Sequence, residues 1–129
     1  MKKTLKQQCL GIVDRTVSNH PQYRFFIHYS FVVKDSRLIA WGVNREGKPD
    51  PWYGYKKYGK VHAETEAYKK ANSIRPGLKD FEVFNVRVNK QGELRLASPC
   101  ACCIGFLQQV GCKKVYYTTS NNNVKSIRL

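Results

Sequence analysis

His62-Ala63-Glu64 and, further along, Pro99-Cys100-Ala101-Cys102-Cys103 are the two short stretches from which the rest of this sequence is read. One imidazole and the two thiols of a Cys-x-x-Cys pair are side chains that suit zinc. A structural zinc site closes with four protein ligands, whereas a catalytic site has three and leaves the fourth position to water. Glu64 stands two residues after the histidine, near enough to hydrogen-bond such a water without binding the metal itself. A helix starting near Pro99 would carry Cys100 and Cys103 at i and i+3 on one face, with Cys102 pointing elsewhere. Proline suits that start because it has no amide hydrogen to lose. The positive end of the helix would lower the thiol pKa values. The spacing therefore predicts one zinc ion per chain on His62, Cys100 and Cys103, with Glu64 placed to hydrogen-bond the metal-bound water. The alternatives are a structural zinc completed by Cys102 or Cys112, and cysteines that merely fill the core.

The 129 residues and 42% hydrophobic content fit one globular domain spanning 1–129. No run of about 18 apolar residues is present, so no membrane partner is expected. The first residues, Met1-Lys2-Lys3-Thr4-Leu5, lack the apolar centre of a signal peptide. Five cysteines, three of them within positions 100–103, suit a reducing cytoplasm and metal binding better than a disulfide framework. The formal charge of +14 attracts phosphate-bearing partners. It does not separate a nucleotide from a polynucleotide, and scattered Lys and Arg also simply solvate a surface.

Around the two motifs, residues 5–18 carry Leu5, Cys9, Ile12, Val13 and Val17 at helical spacing. Residues 23–34 are rich in aromatic and β-branched side chains and predict a strand. Asp35-Ser36 turns the chain into a hairpin partner over 38–43. His28 within the first strand reads as a core or edge histidine. Residues 45–60 form a predicted loop with five basic residues, two acidic ones, and the aromatics Trp52, Tyr53, Tyr55 and Tyr58. Loops of this length are usually functional or disordered. A helix over 61–74 would hold His62 and Glu64 in its first turn, and Arg75-Pro76-Gly77 ends it. A strand over 81–88, a helix over 100–110 closed by Gly111, and a strand over 114–119 follow. The tail, 124–129, is too short for a crossover to a parallel strand, so any pairing must be an antiparallel hairpin.

With these residues placed, the chain resembles the cytidine and deoxycytidylate deaminase superfamily. His62-Ala63-Glu64 and Pro99 to Cys103 carry the resemblance, with support from Gly42-Val43-Asn44, Pro51-Trp52, Lys57-Tyr58 and the stretch Gly111 to Tyr117. Trp52 and Lys57-Tyr58, running into Val61-His62-Ala63-Glu64, are most similar to the deoxycytidylate branch. The resemblance implies an α/β protein, a three-layer α/β/α fold whose mixed central sheet has about five strands, the last one antiparallel. It implies zinc on His62, Cys100 and Cys103, proton transfer by Glu64, a sugar contact from Asn44 and a base contact from the Ala63 backbone.

The expected activity is hydrolytic deamination of a cytosine nucleotide or nucleoside (dCMP, deoxycytidine or cytidine) to the uracil form, with ammonia released and no organic cofactor. Zinc would lower the pKa of a water molecule from about 15.7 toward 7, and Glu64 would carry protons to the base and to the departing amine. A purine base remains an open alternative. So does a deaminase of single-stranded DNA or RNA, favoured by the charge and by the aromatic, basic loop. A third reading is a catalytically inactive nucleic-acid-binding homologue, against which the intact Glu64 stands. The position of the 45–60 loop between Asn44 and His62 predicts that Lys56, Lys57 or Lys60 meets a substrate phosphate and that Trp52 or a tyrosine of the loop covers the base or sugar. A homo-oligomer is expected.

Overall fold

The two-residue turn at Asp35-Ser36 sets the first half of the sheet. Both residues have positive φ, 51° and 64°, the conformation whose twist matches that of paired strands. It joins β1 (Ile27–Lys34) to β2 (Arg37–Val43) as an antiparallel hairpin. This computed structural model describes residues 3–19, 26–46 and 60–129. Helix α1 (Lys3–Thr16) continues into a short 3-10 turn over Val17–Asn19. β3 (Arg45–Glu46) pairs with β4 (Lys60–Val61) as a separate two-stranded ladder, and helix α2 (Ala63–Ile74) follows. Then come β5 (Phe81–Val88), β6 (Leu94–Arg95), helix α3 (Ala101–Gln109), β7 (Cys112–Thr118) and β8 (Val124–Arg128).

The main sheet runs β2-β1-β5-β7-β8, with β6 added beside β5. β5 and β7 are parallel, connected through α3, and the other pairings are antiparallel. The final hairpin, β7 with β8, has the antiparallel sense that the short tail required. The sheet has six strands rather than about five. The extra one, β6, holds two ladder pairs, Arg87 with Arg95 and Val88 with Leu94. It is too short to show a period-2 pattern in the sequence.

Strand alternation separates two cores. Ile27, Tyr29, Phe31, Phe84, Val86 and Val88 bury one sheet face against Cys9 and Val13 of α1. Val32, Val83, Phe81 and Val115 bury the other against Ala67 and Ala71 of α2 and Cys103, Phe106 and Leu107 of α3. Helices thus cover both faces of the sheet, giving three layers. Tyr68 ties α2 to its neighbours, stacking on Phe81 with ring centroids 5.8 Å apart and meeting Phe106 edge-on at 5.5 Å.

Gly42 lets α2 come down onto β2. A Cβ there would lie 2.6 Å from the Ala67 nitrogen, 2.8 Å from the Ala63 oxygen and 2.8 Å from Glu66 Cβ. The first turn of α2 rests on that bare backbone, which fixes the height of His62, Ala63 and Glu64 above the sheet. Arg45 adds a bond from its guanidinium to Glu66 Oε1 at 3.0 Å.

Candidate metal centre and proton-transfer site

The two motif halves meet where α2 and α3 begin. His62 occupies the N-cap of α2 with extended backbone, φ −77° and ψ 144°, rather than a place in its first turn. Cys100 likewise caps α3, and its sulfur accepts the Cys103 backbone N–H at 3.4 Å. Amide hydrogens at a helix start have no partner within the helix, so a sulfur carrying negative charge is held there. Cys103, one turn in, is fully buried while Cys100 and Cys102 are exposed.

His62 Nδ1 lies 3.4 Å from Cys103 Sγ and 4.0 Å from Cys100 Sγ. All three ligand atoms fall within 4.8 Å of one another. Zinc bonds of about 2.0 Å to nitrogen and 2.3 Å to sulfur in a tetrahedron place N and S about 3.5 Å apart. The two observed separations bracket that value, so the residues present fit zinc. Burial does not prevent it: the Cys100 thiol is pushed down to about 3, first by the hydrogen bond from the Cys103 side chain and next by His62, against the opposing effect of desolvation. Cys9 and Cys112 are the reverse case, raised by burial to about 12, and remain thiols. Among the described residues neither Cys102 nor Cys112 belongs to the cluster. The structural-zinc alternative therefore has no fourth ligand from either.

Glu64 is 2% exposed in the first turn of α2. Its Oε2 accepts the Asn85 side-chain amide at 3.0 Å. His28 Nε2 approaches the same oxygen at 3.8 Å and has no hydrogen-bond partner among the described residues. The histidine read from the sequence as a core or edge residue is thus a neighbour of the carboxylate. Its backbone is clamped by Asn44: the His28 N–H donates to Asn44 Oδ1 at 2.9 Å and the Asn44 N–H donates to the His28 carbonyl at 3.0 Å. Ala63 is buried at the start of α2.

The β3–β4 ladder pairs Arg45 with Val61 and Glu46 with Lys60. Both ends of the predicted 45–60 loop are therefore short strands, brought together beside His62. Lys60 lies in β4, whereas Trp52, Lys56 and Lys57 fall outside the described residues.

Two residues of the site went unseen in the sequence. Asn85 and Ser30 are fully buried polar side chains in otherwise apolar strands. Ser30 donates to Asn85 Oδ1 at 2.6 Å. The available signal was a polar residue next to a buried apolar one on the same face of each strand, Ser30 beside Val32 and Asn85 beside Val83.

Comparison with known proteins agrees with this geometry. Residues 3–119 match the family described as the cytidine and deoxycytidylate deaminase zinc-binding region. Among solved structures, the chain is similar to the apo dCMP deaminase of cyanophage S-TIM5, at 22% identity and a TM-score of 0.60, covering 92% of this chain and 86% of that one. The same phage enzyme in complex with dCMP and dUMP matches at 24% identity and a TM-score of 0.62, covering 92% and 84%. No curated protein sequence matches.

Proposed function

This chain belongs to the cytidine and deoxycytidylate deaminase family, and from that premise we propose that it is a zinc-dependent hydrolase that deaminates a free cytosine nucleotide, dCMP being the favoured substrate. One observation carries the reading. His62 Nδ1 faces both sulfurs of the Cys100–Cys103 pair, while the buried carboxylate two residues later is held by Asn85 and not by those sulfurs. A three-ligand cluster with a separate, nearby carboxylate is the arrangement that hydrolytic deamination needs.

His62, Cys100 and Cys103 would hold one zinc ion. When bound, zinc supplies acidity, lowering the pKa of a water molecule from about 15.7 toward 7. Glu64 accepts a proton from the attacking water and delivers it to the base ring nitrogen, as the water oxygen bonds to C4. In the second half, Glu64 carries the remaining proton to the exocyclic amine, the C4–N bond breaks, and ammonia leaves. The burial of Glu64 keeps those protons from bulk solvent. Asn44, anchored to the His28 backbone, is assigned the sugar, and the Ala63 backbone the base. Lys56, Lys57 or Lys60 is assigned the phosphate, and Trp52 or a tyrosine of the same segment the base or sugar. The support for this is that the β3–β4 ladder begins and ends their segment next to His62.

The favoured branch rests on the likeness of the loop motifs to deoxycytidylate deaminases, and the phage neighbour crystallised with dCMP and dUMP is in keeping with it. The formal charge of +14 favours a second reading, deamination within single-stranded nucleic acid. Ammonia release by the zinc-loaded protein from dCMP, CMP, deoxycytidine, cytidine and cytosine-containing oligonucleotides tests both. Turnover of dCMP supports the first reading, and turnover confined to oligonucleotides replaces it with the second.

A further inference from the structure

We propose that Asn85 is the positioning residue of Glu64, oriented by Ser30, and that it fixes which carboxylate oxygen is left to move protons. The inference rests on the deaminase reading above and adds a pair of residues to it. Asn85 stands on β5, at the centre of the sheet, directly opposite Ser30 of β1 in the antiparallel ladder. Both are fully buried and Glu64 is nearly so. Every hydrogen bond among them is therefore made away from water, where a misplaced polar group is costly and a paired one is strong.

The donor and acceptor inventory allows one orientation of the Asn85 amide. Its Nδ2 lies 3.0 Å from Glu64 Oε2 and 3.3 Å from the Ala97 carbonyl. Both of these are acceptors, and the amide nitrogen has two hydrogens to give. A flipped amide would set oxygen against a carboxylate and a carbonyl together. With the nitrogen so committed, Oδ1 must accept, and the Ser30 hydroxyl donates to it at 2.6 Å. Glu64 and Ala97 thus set the orientation of the amide, the Ser30 hydroxyl holds its other end in place, and the amide locks Oε2. Among the described residues no hydrogen bond reaches the other oxygen, Oε1, which is left for proton exchange.

The same side chain joins the two motif halves. Glu64 rides on α2, while Ala97 lies in the segment that runs into Pro99 and Cys100. Asn85 holds one with each amide hydrogen, so the carboxylate is set in register with the segment that carries the cysteine. Without it, Oε2 would turn to His28 Nε2, already 3.8 Å away. A displacement of about 1 Å at a reacting group can cost roughly 10²-fold in rate.

Asn85→Ala and Ser30→Ala, each measured for zinc content, for kcat and KM on dCMP, and for urea unfolding alone and combined with Glu64→Ala, test the proposal. The expected result is one zinc per chain in both variants. Asn85→Ala should lower kcat roughly 10²-fold with KM nearly unchanged, the split that marks loss of an interaction made in the transition state. Ser30→Ala, the milder change should Asn85→Ala fail to fold, should lower kcat by a smaller factor, again without raising KM. The unfolding midpoints of Asn85→Ala and Glu64→Ala should be non-additive, as for side chains in contact. Unchanged kcat in the folded variants, or a loss confined to KM, overturns the positioning role. Additive midpoints overturn the contact. An inert wild-type protein overturns the functional reading instead, and the unfolding cycle then still decides the Asn85–Glu64 contact.

Discussion

Replacing Gly42 by alanine should cost both stability and activity, through one displacement. The added methyl would sit 2.6 Å from the Ala67 nitrogen, 2.8 Å from the Ala63 oxygen and 2.8 Å from Glu66 Cβ. Two of these are backbone atoms of α2, so no side-chain rotation relieves them. Non-bonded heavy atoms settle near 3.5 Å, so the tightest contact asks α2 to retreat by roughly 0.9 Å. Overpacking of this kind costs about 1–3 kcal/mol. With a urea slope of about 1–3 kcal/mol/M, a loss near 2 kcal/mol lowers the unfolding midpoint by about 1 M. The helix that moves carries Glu64 in its first turn and His62 at its cap, whereas Cys100 and Cys103 belong to α3. A retreat near 1 Å is therefore expected to lower kcat/KM by about 10²-fold even where the variant is fully folded. Urea unfolding followed by circular dichroism, and turnover measured well below the midpoint, check the two arms. A Gly42→Ala protein with the parent midpoint and parent turnover would refute the claim that this glycine sets the height of the site.

Cys103→Ser should lose zinc and activity while Cys102→Ser keeps both, as read by metal analysis; zinc lost from Cys102→Ser alone would reverse the assignment. Glu64→Gln should keep zinc and the fold but lose about 10²–10⁴-fold in turnover; near-parent turnover in the zinc-replete variant would remove Glu64 from the chemistry. In zinc-free protein the depressed Cys100 thiol, near 3, stays a thiolate from pH 8 down to pH 5. Its alkylation should then be almost flat with pH, where an ordinary thiol with a pKa of about 8.5 slows nearly tenfold per unit below that value. Peptide mapping should find Cys9 and Cys112, raised to about 12, unlabelled in the folded chain. On the mononucleotide reading, salt should affect turnover modestly. A polynucleotide deaminase would instead lose affinity with log salt at about −0.7 per neutralised phosphate.

The parts of the fold that were legible are those written in local sequence. Asp35-Ser36 between two β-branched and aromatic runs specified the first hairpin, and the short tail after β7 permitted only an antiparallel partner. The ligand cluster was legible because its spacing is a helix-start property: Cys100 caps α3 and Cys103 lies one turn on. The helix after His62 was read as starting at Val61, two residues before its first residue, Ala63. A β3–β4 ladder of two pairs was read as loop because strands that short carry no periodicity. Ser30 and Asn85 were invisible for a different reason. Their bond joins residues 55 positions apart, and only the register of β1 on β5 shows that these two polar side chains face each other.

Zinc-loaded protein incubated with dCMP, with the conversion to dUMP and the ammonia released followed together, tests whether the chain is a deaminase of free cytosine nucleotides. Equal amounts of dUMP and ammonia are expected from the wild-type protein, and almost none from zinc-replete Glu64→Gln. A folded wild-type protein holding one zinc per chain that releases no ammonia from dCMP or from any other free cytosine nucleotide or nucleoside would contradict that reading.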